Sequence, residues 1–404
     1  MALDSAGGVG DTGSAVLAVA RCNGGIELRS PLSGVLLGSI PPAAAPAGSK
    51  GKQAEEAVHV RGLHLLWGDD AAEGLPAVLS VTQGGTARVH CSLTQQQAAQ
   101  QQGGVQQQQQ RGGAWEERRS WQVPPEVCCT AYDAASGRLA VGCQGAELRL
   151  FEASSGELVF TFKGGKPNMV GLVDKPWNTA LAFLPSPSSA GSADSGSCAP
   201  GSRLLVGTGY HKVRLYDAEA GKRPQMELSW REGRVTSLAL EPDGQRCWVA
   251  NGMGHIEVLD LSARKFVGAI KGLAGSARAL AAHPEAPLLA SVGLDRYLRL
   301  HDRNTRQLAA KVYLKTLPSG VAFCPTDASM LPPRKEPSEA DKEGEGRRRR
   351  RKAAASSDDD DEDSEAEAKA AEAARRRQAG KRGKGRGEGG GRKQKQRHGV
   401  DDSD

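Results

Sequence analysis

The chain has 404 residues, of which 51 are glycine and 38% hydrophobic, and it carries a net charge of +6. That length suits two average domains or one large repeat domain, and the low apolar content predicts a turn-rich fold flanked by segments that cannot build a core. Eight cysteines without a CxxC exclude zinc-ribbon and thioredoxin-type sites and fit reduced thiols in the cell interior, and no run approaches the length of a transmembrane helix.

Residues 1–13 read as a flexible N-terminus. MALDSAGGVGDTGS has no basic region followed by an apolar run, so no secretory leader is expected. GVGDTG at 8–13 has GxGxxG spacing, but no strand precedes it to aim a helix N-terminus at a pyrophosphate. It is not read as a dinucleotide loop.

From residue 14 to 325 one unit recurs. HKVRLYD ends at Asp217, GHIEVLD at Asp260 and RYLRLHD at Asp302, at intervals of 43 and 42 residues. AELRLFE, ending at Glu152, is a fourth copy. TARVHC and GIELRS, ending at Cys91 and Ser30, are weaker ones. Low-complexity inserts near 41–56, 94–114 and 185–203 lengthen the spacing and read as loops.

Within 234–272 the unit shows its grammar. RVTSLAL is a strand, EPDG a turn, RCWVAN a second strand and GMG a hairpin turn. HIEVLD and KFVGAI are the third and fourth strands. Four short strands every 40–45 residues predict an all-β fold, a WD-repeat β-propeller. Six units stand out, near 14–40, 58–93, 125–160, 178–230, 234–272 and 274–314. A seventh could lie within 94–124, where RSWQV is the one strand-like piece. SGVAFCP, at 319–325, reads as a closing strand that pairs with the N-terminal unit.

The third strand of a WD repeat ends in Trp-Asp. His301-Asp302, Tyr216-Asp217 and Leu259-Asp260 take that place, so His301 is read as a buried ring and not as a ligand or base. Asp295 falls where the repeat has a turn aspartate that ties the hairpin to its neighbours. No Walker loop, GxSxG elbow or HExxH occurs, and His59 and His64 have no cysteines at zinc spacing. No catalytic, cofactor-binding or metal-ligating residue is assigned, no small-molecule substrate or membrane contact is expected, and the chain is read as a non-enzyme.

Residues 326–404 change character. Between 334 and 404 there are 21 Lys/Arg and 18 Asp/Glu, arranged in blocks, and aliphatic residues almost vanish. Such a tail cannot offset the entropy of folding and is expected to be disordered. Only the Ala-rich stretch 365–379, with i,i+4 pairs Glu365–Lys369 and Glu372–Arg376, has helical character. Arg347, Arg348, Arg349, Arg350, Arg351 and Lys352 form one basic run. Lys381, Arg382, Lys384, Arg386, Arg392, Lys393, Lys395 and Arg397 form a second, loosened by glycines. Both are candidates for nuclear import and RNA-backbone contact. Ser356, Ser357 and Ser364 each have an acidic residue three positions on and are candidate phosphorylation sites.

GTGYHKVRLYD (207–217), IKGLAGSARALAAHPEAPLLASVGLDRYLRLHD (270–302) and KVYLK (311–315) go beyond generic repeat grammar, as does KPNMVGLVDKPWNTALAFLP (166–185). They resemble the WD-repeat ribosome-assembly factors of nucleolar large-subunit precursors. The resemblance covers about residues 160–320 and implies a seven-bladed, non-catalytic scaffold with a basic tail. It implies residence in the nucleus and nucleolus beside ribosomal RNA and pre-ribosomal proteins, and release by a dedicated AAA ATPase. Among the family-like residues, Gly272, Gly275 and Gly293 are read as positive-φ turn glycines, and Leu288, Leu289 and Leu298 as core. His211, Lys271, Arg278, Arg296, Lys311, Tyr313 and Lys315 are less easily explained by packing and are candidate partner-binding residues. The alternative function is a WD-repeat substrate adaptor in a ubiquitin-ligase or chromatin complex.

Overall fold

Short apolar runs ended by Gly, Asn or Asp become antiparallel strands in the computed structural model, which describes residues 15–31, 33–42, 58–67, 75–92, 115–165, 174–185 and 200–324. The strands assemble as six sheets in chain order. The first holds β1 (Leu17–Ala20), β2 (Ile26–Arg29) and β3 (Leu36–Ile40). The second holds β4 (Val60–Leu66), β5 (Ala77–Thr82), β6 (Thr86–Ser92) and β7 (Trp115–Gln122). The third holds β8 (Val127–Asp133), β9 (Arg138–Cys143), β10 (Arg149–Glu152) and β11 (Leu158–Thr161). The fourth holds β12 (Asn178–Phe183), β13 (Arg203–Thr208), β14 (Lys212–Asp217) and β15 (Met226–Ser229). The fifth holds β16 (Val235–Leu240), β17 (Arg246–Asn251), β18 (Ile256–Asp260) and β19 (Lys265–Ile270). The sixth holds β20 (Ala277–Ala282), β21 (Leu288–Gly293), β22 (Tyr297–Asp302) and β23 (Leu308–Tyr313).

This is the expected all-β propeller, with six blades among the described residues. RSWQV does not found a seventh: it belongs to β7, the outer strand of the second blade. The inserts expected near 41–56, 94–114 and 185–203 lie largely outside the described residues. The terminal segments 1–13 and 326–404 lie wholly outside them, with every candidate import and phosphorylation residue.

Alternation in the second and third strands of a blade puts apolar side chains on both sheet faces, so each blade needs two neighbours. Five clusters fill five seams. Ala18, Leu28 and Leu65 join blades one and two. Leu79, Val89 and Val141 join two and three, while Leu150, Phe162 and Tyr216 join three and four. Leu205, Trp230 and Leu259 join four and five, and Trp248, Ile256 and Leu289 join five and six. Trp248 is fully buried, and its indole N–H donates to Glu241 at 2.8 Å.

The recurring aspartate at the end of the third strand has a local cause. Asp302 accepts the N–H groups of Asn304 and Thr305 at 2.7 and 2.9 Å, and Asp260 accepts that of Ala263 at 2.8 Å. Each closes the hairpin to the fourth strand as an Asx turn. These backbone donors hold both carboxyls below the usual range.

Two expectations need correction. Residues 319–324 form no strand and make no ladder with the first blade. They run instead beside the inner strands of blades five and six, where Val321–Phe323 line a cavity with Leu240, Leu280 and Ala282. Phe323 sets its ring edge-on to His283 at 4.8 Å. Aromatic packing, not strand pairing, places this segment, and the first sheet has three strands. Gly293 is also not a positive-φ residue, unlike Gly272 (φ 99°) and Gly275 (φ 86°). It ends β21, where a Cβ would lie 3.0 Å from the Ser276 carbonyl. Leu289 is core as expected, while Leu288 and Leu298 are half-buried.

Histidine burial sets an acid limit on the fold. His301 is buried as expected, at 1% exposure, and burial pushes its pKa down, as it does for His90. His64, hydrogen-bonded to the Thr130 hydroxyl at 2.8 Å, is pushed by burial from 6.5 to about 4. The unfolded chain therefore binds more protons than the folded one between those values, so stability is complete above pH 6.5 and falls with pH through the window. His64 alone contributes on the order of 3 kcal/mol to that loss. Urea titrations at pH 7 and pH 5 should show the drop, and His64→Gln should flatten the pH slope.

Candidate interaction rim

In each blade three pieces of chain meet at the same end of the sheet: the start of the inner strand, the turn between the second and third strands, and the end of the outer strand. Backbone bonds fix the meeting. The turn donates to the connection before the inner strand through Gln83 to His59, Gln144 to Glu126, Gly209 to Trp177, Gly252 to Arg234 and Leu294 to Ser276. The outer strand returns through Trp230 to His211 and Leu314 to Arg296. His211, Lys271, Arg278, Arg296 and Lys315 thus all lie on this rim, on blades four to six. Lys311 and Tyr313 stand on β23 leading up to it.

The fourth position of the turn needs left-handed backbone. Gly85 (φ 89°) fills it in blade two and Gly254 (φ 89°) in blade five. Blade four places His211 there (φ 52°) and blade six places Arg296 (φ 62°). A side chain in that conformation costs about 1–2 kcal/mol, and such residues gather at sites of function. The first turn position differs too. The side chains of Thr82, Thr208 and Asn251 accept the N–H of the fifth residue at 3.2, 3.0 and 2.9 Å. Gly293 has no side chain to do so, and Asp295 takes over, accepting the Tyr297 N–H at 3.2 Å.

Asp295 also meets Arg299 at 2.5 Å and accepts the Ala274 N–H at 3.3 Å, fulfilling the expected turn-aspartate role. Burial raises this carboxyl, and the bonds from Arg299, Tyr297 and Ala274 outweigh it, leaving the pKa below the usual carboxylate range. Around the pair is a cation–aromatic cluster. Tyr297 and Tyr313 have ring centroids 5.2 Å apart, and the Lys311 ammonium lies 4.0 Å from the Tyr297 centroid. The Arg299 guanidinium is 5.3 Å from the same centroid. Tyr313 remains half exposed, so the cluster presents both cation and apolar ring at the surface.

On blade four, Lys212 binds Asp174 at 2.6 Å and Glu227 at 3.2 Å, and Arg214 binds Glu227 at 2.7 Å. The hydrogen bond from Lys212 holds the Asp174 carboxyl below its usual range. Trp177 packs edge-on against Tyr210 at 5.6 Å. Asp174 and Trp177 belong to the segment 166–185 singled out in the sequence, and its described part fastens the connection before β12 to the rim.

Sequence reasoning missed Arg61 and Arg234, which join Arg278 around one cavity at the rim, and Arg299, which holds Asp295. Only the strand starts could have flagged the first two, Arg61 following Val60 and Arg234 preceding Val235.

No protein-family model matches the chain. It is 38% identical over 200 residues to WD repeat-containing protein 74 of Homo sapiens and 37% identical over 199 residues to the Bos taurus protein, each match covering 48% of both chains. It is 25% identical over 201 residues to ribosome biogenesis protein nsa1 of Schizosaccharomyces pombe, covering 49% of this chain and 50% of that one. The chain spans about half the length of the curated relatives it matches.

The strained turn has a measurable consequence. Arg296→Gly should leave the melting temperature unchanged or raise it, with a gain of up to about 1 kcal/mol in chemical denaturation. A clear loss of stability would show that Arg296 holds the fold rather than presents a side chain.

Proposed function

We propose that this chain, a WD-repeat propeller related to ribosome-biogenesis proteins, is a non-catalytic scaffold in assembly of the large ribosomal subunit. It works on nucleolar precursor particles during pre-ribosomal RNA processing. The observation that carries this reading is the similarity over about half the chain to proteins named for WD repeats and for ribosome biogenesis. The rim supports it. Arg296 on its strained turn and the Tyr297–Tyr313–Lys311 cluster would give a partner a surface to bind.

In this reading the propeller holds pre-ribosomal proteins and ribosomal RNA, and an AAA ATPase later removes it. The basic runs at 347–352 and 381–397 direct the chain to the nucleus and nucleolus and add nonspecific RNA affinity. Phosphate on Ser356, Ser357 or Ser364 would deepen the adjoining acidic block.

Sucrose-gradient fractionation of nuclear extract tests the proposal. The protein should comigrate with large-subunit precursor RNA, and its depletion should make that RNA accumulate. Arg296→Gly with Lys311→Ala should move it toward lighter fractions. Retention in light fractions beside cullin-type or histone-modifying subunits would favour a substrate adaptor. Deleting residues 334–404 should reduce nuclear accumulation and flatten the salt dependence of RNA binding. Unchanged localisation and affinity would defeat that division of labour.

A further inference from the structure

Five inner strands carry the same irregularity at the same place. The register slips between Val60 and Gly62, Val127 and Cys129, Asn178 and Ala180, Val235 and Ser237, and Ala277 and Ala279. A bulge frees its extra residue from the ladder and re-aims the side chain. The extra residues are Arg61, Cys128, Thr179, Thr236 and Arg278, and all five line one cavity of about 330 Å³ at the rim. Arg234 and Trp177 complete the wall with two glutamines, and Glu126 is the one carboxylate in the lining.

The cavity is cationic and incomplete. Arg61, Arg234 and Arg278 are exposed, and among the described residues none has a carboxylate partner. Arg61 is held in place by the Gln83 amide oxygen, which accepts from Nε at 3.1 Å and from Nη2 at 2.8 Å. Burial raises the Cys128 thiol while Arg61 and Arg234 pull it the other way, so both charges bear on the cavity. On the same wall the Thr179 hydroxyl donates to the Val235 carbonyl at 2.6 Å, and among the described residues the Thr236 hydroxyl has no such partner.

We propose that this mouth binds the carboxylates of an acidic peptide segment from another protein. Guanidinium forks match carboxylate geometry, and three of them from blades two, five and six converge on a single cup. A nucleic-acid strand needs a basic groove along which its phosphates run, and the cup offers one point of capture closed by five strand starts. The inference rests on the scaffold reading, for which it supplies one protein contact.

Fluorescence anisotropy with the full chain and a labelled poly-glutamate peptide, at about 150 mM salt to suppress diffuse attraction, tests it. The triple variant Arg61→Gln, Arg234→Gln, Arg278→Gln should weaken binding about tenfold. A control triple variant, Arg264→Gln, Lys265→Gln, Arg306→Gln, removes the same charge away from the cavity and should leave binding unchanged. The single variant Arg278→Gln changes one exposed side chain of the lining and should weaken binding roughly threefold. It carries the test should the arginine triple fail to fold. Peptide affinity that survives both cavity variants overturns the proposal, as does a loss confined to a labelled oligouridylate. Comigration of the unaltered protein with precursor RNA, measured alongside, separates failure of this site from failure of the scaffold reading.

Discussion

Everything in this fold depends on a sheet that cannot bury both of its faces alone. In the sixth blade Leu289 points into the seam with blade five, while Ala290 and Val292, its neighbours on the same strand, point the other way. Burial of one such side chain is worth about 1.5–3 kcal/mol, so a single blade forfeits half of its driving force and a stack recovers it. The five apolar clusters are that recovery, seam by seam. Among the described residues no such cluster joins blade six to blade one. The first blade instead turns the ion pairs of Glu27 with Arg21 and Arg29 to the face away from blade two.

Stacking also explains why chemistry collects at one end. The inner strands must pass close together around an axis, and those of blades two to six each relieve their start with a bulge that throws one side chain free. The turn between second and third strands is tied by a backbone bond to the same start. A substitution at either place alters the rim without disturbing a seam. There Arg296 occupies a turn position where glycine would be the relaxed choice.

Most of the architecture was legible because it rests on local rules. The 42- and 43-residue intervals between Asp217, Asp260 and Asp302 reflect an Asx turn that only a short acceptor at that point can make. His301 was readable as a buried ring from its place before that aspartate. Of the seven candidate binding residues, five lie on one rim because turns and strand ends are visible in sequence. Closure was not legible. SGVAFC alternates like an inner strand, but pairing depends on a sheet edge nearly 300 residues away, and Phe323 finds His283 instead. Gly293 was misread because a glycine can answer a crowding backbone as well as a positive φ. The three-arginine mouth was illegible for the same reason as closure, since Arg61, Arg234 and Arg278 meet only when blades two, five and six surround one axis.

The rim and its mouth are two different kinds of surface. The cation–aromatic cluster on blade six is flat and half exposed, with Asp295 and Arg299 locking its base, so it tolerates partners of different shape. The mouth is concave and its arginines converge, which demands a ligand that brings negative charge to a point. Arg278 sits at the junction, on the inner strand of the blade that carries the cluster. The proposed scaffold, held firmly and later detached, would be served by this arrangement. On that reading, contacts spread over the rim would fix orientation, while the exposed guanidinium groups converging at the mouth would concentrate affinity where one competing anion can displace it.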